Sequence, residues 1–171
     1  YSRGKEGERI PSDINALVHE YTWLGYHAMR ANYNGFNVSI SEQYAEGLAP
    51  IAVVPQDISR AILNVVNNAF YAVWERSNAE GESYHPELDV KTVAENGELS
   101  IVISDNGIGM TPEVKEKIYQ NFFTTKPLGQ GTGLGMSITR NIINQHNGRI
   151  EFDSVEHSGT CFTLIIPILK K

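Results

Sequence analysis

The chain has 171 residues, 41% of them hydrophobic, which suits one domain with one sizeable core. Its net charge of -6, with acidic residues spread along its length, offers no basic field to a polyanionic backbone, so nucleic acid is not an expected partner. No run approaches the roughly 18 apolar residues of a membrane-spanning helix, since Phe162 to Leu169 is short and broken by Pro167.

Residues 1–9 are polar and lack a signal-peptide core. The chain starts at Tyr1, so the parent protein is expected to be larger, with residues 1–12 as a linker and residues 13–171 as the domain. Ser12 is the expected cap of a first helix, in which Ile14, Leu17, Val18, Tyr21, Leu24 and Ala28 recur at helical spacing until Asn34-Gly35. Alternation over Phe36, Val38 and Ile40 and the apolar run Ile51 to Val54 read as two strands. From Asp57 to about Arg76, the residues Ile58, Ile62, Val65, Val66, Ala69 and Val73 make a broad apolar helix face.

After a polar, turn-rich stretch, Leu88 to Ala94 and Glu98 to Ile103 flank Asn96-Gly97, a strong hairpin signal. Residues 105–135 form a long glycine-rich loop holding only a short helix capped by Thr111. A third long helix is expected from about Gly133 to a stop at Gly148, followed by strands over Arg149 to Ser154 and Thr160 to Ile166. The lone Cys161 lies in an apolar run and reads as a small buried residue in a reducing cytosol. Strand pairs alternating with single helices suit an α+β fold, a two-layer sandwich with a mainly antiparallel sheet.

Asn64 and Asn68 are one helical turn apart and share a stripe beside the apolar face, so two neutral amide oxygens can look into one space. Such oxygens suit the completion of a magnesium shell whose other members come from phosphates and water. Solvated asparagines are the plainer reading, and for Asn67, on the other side, it is preferred. Asp105 to Met110 comes directly off a strand and places a carboxylate above a turn, where it can accept from an exocyclic amine such as adenine N6. Gly107 and Gly109 would let backbone approach a flat ring; an ordinary Asp-Asn-Gly turn is the alternative. Gly129 to Gly135 leads straight into a helix, so free N–H groups and a helix dipole converge there as a phosphate cradle, with Lys126 nearby.

The order of these segments resembles the ATPase superfamily of gyrase, heat-shock chaperones, histidine kinases and MutL, and within it the sensor histidine kinases. Leu63 to Ala69 is similar to the family's N box, Asp105 to Gly109 to its G1 box, Asn121 to Lys126 to its F box and Gly131 to Gly135 to its G2 box. The similarity covers about Asp13 to Pro167, and its F and G2 phrases look like the nitrogen-regulator-like subgroup. The resemblance implies the Bergerat ATP-binding fold, with a mixed sheet, three main helices on one face and an ATP lid. It implies ATP and Mg²⁺ as cofactors. Asn68 would hold the metal, Asn64 would lie beside the phosphates, and Asp105 would bind adenine, aided through water by Thr160. Met110 would border the base, while Thr125, Lys126, Gly131, Thr132, Gly133, Leu134 and Gly135 would hold the triphosphate under the lid. Asn64 and Lys126 would be the catalytic residues. Tyr71 stands where many relatives carry a basic residue, which weakens one expected phosphate contact. Asn64 also stands where the gyrase-like branch has an acidic general base, so kinase chemistry is favoured over hydrolysis.

The implied partners are a histidine-bearing dimerisation domain of the same parent and a downstream response regulator. The implied location is cytoplasmic, including as the cytoplasmic part of a membrane-bound sensor. His19-Glu20 imitates only the first half of the family's phosphoacceptor motif, because no proline follows, so its helix is expected to pack onto this domain. His146 reads as a helix-end residue whose partial positive charge suits the dipole. His27, His85 and His157 show no partner constellation. An anti-sigma-type serine kinase and a non-catalytic nucleotide-binding module remain as rival readings.

Overall fold

The computed structural model describes residues 7–121 and 135–168. Asp13, not Ser12, caps the first helix: its carboxylate accepts from Ala16 N–H at 3.1 Å, while the Ser12 hydroxyl donates to Ile10 O at 2.7 Å. Helix α1 (Ile14–Asn32) buries Ile14, Val18, Thr22, Tyr26 and Met29 along one stripe. Helix α2 (Pro55–Glu80) buries ten residues because it is central, with α1 and α4 (Gly135–Gln145) both packed on it and the sheet beneath. A short α3 (Pro112–Lys117) starts at Thr111, whose hydroxyl accepts from Val114 N–H as expected.

Five strands form the main sheet in the order β2 (Ser39–Gln43), β4 (Glu87–Glu95), β5 (Glu98–Asp105), β7 (Gly159–Pro167) and β6 (Arg149–Val155). Only the β2–β4 pair is parallel, so the sheet is mixed and mainly antiparallel, as expected of the α+β sandwich. Asn96 and Gly97 both take positive φ, 54° and 75°, which matches the twist that a two-residue hairpin needs. The inner face, with Leu88, Val90, Leu99, Ile101, Ile103, Phe162, Leu164 and Ile166, is sealed by the helices.

Four details differ from the sequence reading. The two strands after α1 do not pair with each other, because β2 joins the sheet edge while β3 (Ile51–Val53) pairs with β1 (Ile10–Ser12). The end of the expected linker over residues 1–12 is therefore hydrogen-bonded to the domain. The left-handed residue after α4 is Asn147, φ 63°; Gly148 is needed instead because a Cβ there would lie 1.9 Å from Ile165 O. Cys161 is only half-buried, opposite Ser104 and Asp153 in the sheet, since its alternation points it away from the helices. His146 is buried, with Nδ1 on Ile142 O at 2.8 Å and Nε2 accepting from Val54 N–H at 3.0 Å. An accepting nitrogen requires the neutral ring, so His146 does not act as a dipole cation; it serves the N-terminus of α2, where Val54 lacks a side-chain cap of its own.

Thr22 is fully buried, and among the described residues its hydroxyl has no partner. Valine has the same shape without the unmet polar atom. Thr22→Val is expected to stabilise the domain by about 1 kcal/mol, read as a rise in melting temperature of roughly 2–4 °C.

Candidate functional site

Asp105 ends β5, where its ladder partners are Leu88 at the start of β4 and Thr160 at the start of β7. Gly107 N–H donates to its Oδ1 at 2.8 Å. Burial pushes the carboxyl up to about 7, against the Gly107 and Thr160 N–H groups, which favour the charged form. A carboxylate short of solvation in this way gains most from an external N–H donor.

The glycines after Asp105 have a packing reason of their own. A Cβ on Gly107 would lie 2.6 Å from the backbone and Cβ of Ala72 on α2. Gly109 has φ +70°, and its Cβ would lie 2.0 Å from Val155 O. Both positions are closed to side chains because the loop is wedged between α2 and the β6–β7 hairpin, so protein packing by itself demands glycine there. Met110 N–H donates to Ser154 Oγ at 2.8 Å, and that hydroxyl lies 2.8 Å from Thr160 Oγ1. Met110 and Thr160 are thereby tied to the wall beside Asp105.

On α2, Asn64 Nδ2 donates to Gly135 O and to Thr139 Oγ1, both at 3.2 Å. The helix stripe and the first turn of α4 are therefore joined at this point. Asn68 follows one turn later, half-buried, and among the described residues its amide meets no hydrogen-bonding partner. Asn67 is not simply solvated: its Oδ1 lies 3.1 Å from where a Cβ on Gly25 would stand, at the close contact of α1 and α2. Tyr71 is buried, its ring centroid 5.8 Å from Trp74; burial first, then Glu75 and Tyr33, raise its pKa. Its ring is part of the packed aromatic face of α2. Thr125, Lys126, Gly131, Thr132, Gly133 and Leu134 lie outside the described residues, as does the expected lid.

Asn64 and Ala72 are eight residues apart, about 12 Å along α2 at 1.5 Å per residue. One end of this stretch of α2 therefore lies near a carboxylate suited to a base, and the other offers amides and a helix start, over a span of the order of an extended nucleotide. A profile described as the histidine kinase-, DNA gyrase B- and HSP90-like ATPase matches residues 53–170.

The chain belongs to this ATPase family. It is 32% identical to the methanogenesis regulatory histidine kinase FilI of Methanothrix harundinacea, over 88% of this chain and 16% of that protein. It is 28% identical to the sensory histidine kinase/phosphatase NtrB of Rhizobium meliloti, over 99% of this chain and 44% of that protein. Its fold is similar to the catalytic domain of histidine kinase ThkA, with a TM-score of 0.75 and 28% identity over 94% of this chain and 96% of that one. The chain spans less than half the length of both curated relatives. It is thus a domain of this ATPase family, similar to the catalytic domain of a histidine kinase.

In this ATPase-family domain the residues present fit a magnesium ion carried with a nucleotide. The amide oxygens of Asn64 and Asn68 are hard, neutral donors, enough for an ion that phosphates and water otherwise surround. Among the described residues there is no group of three His, Cys, Asp or Glu side chains that would hold a metal by itself. Two site residues escaped the sequence reading. Ser154 looked like any strand serine, and Asn106 looked like a turn former. The Asn106 amide in fact donates to His85 O and accepts from Glu87 N–H, each at 2.8 Å, across a separation of about twenty residues that no local pattern reveals.

Proposed function

We propose that this domain binds Mg·ATP and donates the γ-phosphate to a histidine on a separate dimerisation domain of the same parent, in two-component signalling. What carries the reading is the arrangement along α2, with the turn after Asp105 packed on Ala72 at one end and Asn64 bonded to Gly135 at the other. The carboxylate of Asp105 accepts from adenine N6, with Met110 and Thr160 bordering the base. Asn64, Gly135, Thr125, Lys126, the residues 131–134 and the neighbourhood of Tyr71 hold the phosphates. Asn68, with Asn64 beside it, holds the metal, which when bound neutralises charge on the phosphate oxygens.

The acceptor imidazole attacks the γ-phosphorus as the bond to the β-bridging oxygen breaks, leaving ADP, and a response-regulator aspartate takes the phosphoryl group next. Residues 1–12 link to the acceptor-bearing domain, and the location is cytoplasmic. The similarity to histidine kinases favours histidine over serine as the acceptor. The absence of a carboxylate at Asn64 supports transfer over hydrolysis.

Asn68→Ala tests the metal assignment. The variant is expected to fold normally and to bind ATP with the same affinity whether or not Mg²⁺ is present, whereas the unmodified domain binds more tightly with Mg²⁺. Calorimetric titration reads the difference, and an unchanged Mg²⁺ dependence would remove Asn68 from the metal site.

A further inference from the structure

The peptide group between Asn106 and Gly107 has its two ends engaged in opposite directions. Its N–H, that of Gly107, donates to Asp105 Oδ1 at 2.8 Å and so sets the plane of the carboxylate. Its carbonyl, that of Asn106, accepts from Arg76 Nη1 at 2.8 Å and from the Tyr84 hydroxyl at 2.8 Å. Arg76 is held in turn by Glu80 through its Nε, and its guanidinium lies over the Tyr84 ring, 4.7 Å from the centroid. The Tyr84 hydroxyl also reaches the Asn106 side-chain oxygen at 2.9 Å. A peptide whose carbonyl is bonded to a cation is a stronger donor at its N–H, because hydrogen bonds in a chain polarise one another.

We infer that Arg76 and Tyr84 are positioning residues for base recognition, acting through the Asn106–Gly107 peptide to orient the Asp105 carboxylate toward the adenine amine. The inference rests on the reading of Asp105 as the adenine contact. Neither side chain touches the nucleotide; they determine how sharply the site distinguishes an amine from the carbonyl that guanine carries at the same place. Plain structural support would predict something else, namely a lower melting temperature with an unaltered preference between bases.

The test compares ADP and GDP binding by calorimetry for the unmodified domain, Arg76→Met, Arg76→Lys and Tyr84→Phe, with thermal melting of each. Arg76→Met is expected to weaken ADP roughly tenfold to a hundredfold, the value of one hydrogen bond to a charged group, while GDP affinity stays within about twofold. Arg76→Lys keeps the charge and is expected to recover part of the preference. Tyr84→Phe keeps the ring and loses only the hydroxyl, so it is expected to fold and to lose several-fold in ADP preference even if Arg76→Met does not fold. An unmodified domain without adenine preference would overturn the reading of Asp105 itself. A preference present in the unmodified domain and unchanged in folded Tyr84→Phe and Arg76 variants would overturn this inference alone.

Discussion

Asp105→Asn is expected to weaken nucleotide binding roughly tenfold to a hundredfold and, at the same time, to make the nucleotide-free domain more stable at pH 8. The carboxyl titrates near 7 in the fold against 3.8 when unperturbed, chiefly because burial penalises its charge. The folded state therefore binds its proton more tightly than the unfolded state does. That contribution is fully present below the unfolded value, and stability is lost as pH rises from about 4 through about 7. A shift of that size corresponds to at most about 4 kcal/mol, and the partial exposure of Asp105 reduces it to about 1–3 kcal/mol. Asparagine has no charge to bury and its Oδ1 still accepts from Gly107, so most of that penalty disappears in the variant. The unmodified domain should in addition lose ADP affinity as pH falls below 7, by about tenfold per unit, because a protonated acid has to be ionised before it can accept the amine. Denaturant melts at pH 5 and pH 8, together with ADP titrations across that range, check both halves. A stability gain equal at the two pH values would show that removal of the buried charge is not its cause.

The second large effect is all-or-none. The domain by itself is expected to bind Mg·ATP without labelling itself, and to label a separately supplied dimerisation domain of its parent on the latter's histidine. His19 is the nearest imitation of an acceptor within the chain, and its surroundings speak against it. Its Nδ1 pairs with Glu42 on the edge strand β2, and the same carboxylate accepts from Trp23 Nε1 at 3.1 Å. That cluster belongs to the α1 side of α2, whereas Asn64 and Gly135 belong to the α4 side. Incubation with radiolabelled ATP, followed by acid and base treatment, reads the outcome, since phosphohistidine is lost in acid and survives base. Stoichiometric acid-labile label on the isolated domain that disappears in His19→Ala would refute the division of labour between two domains.

Patterns of short range in the chain were enough to expose most of the fold. The 3.6-residue recurrence from Ile58 to Val73 located α2 because a helix covered on several sides must be apolar over a broad face. Asn96-Gly97 located the β4–β5 hairpin because few other residues accept positive φ at two successive positions. The pairing of the short strands was not legible. Ile51–Val53 is only three residues long, and whether it joins β2 or an entering segment depends on which ladder leaves fewer backbone groups unpaired across the whole domain.

The candidate site divides in the same way. By itself the sequence determined which residue types are available and in what order: two amides one turn apart, a carboxylate at a strand end, glycines leading into a helix. Only the tertiary structure decided that Asn64 meets Gly135 across 71 residues, that Asp105 is buried enough to titrate near neutrality, and that Gly107 and Gly109 answer to Ala72 and Val155. It also decided that Tyr71 turns into an aromatic cluster and that His146 is a neutral link between α4 and α2. The physical reason is range. Helix and turn propensities act over three or four neighbours, whereas desolvation, close approach and hydrogen-bond satisfaction depend on groups brought together from far apart in the chain.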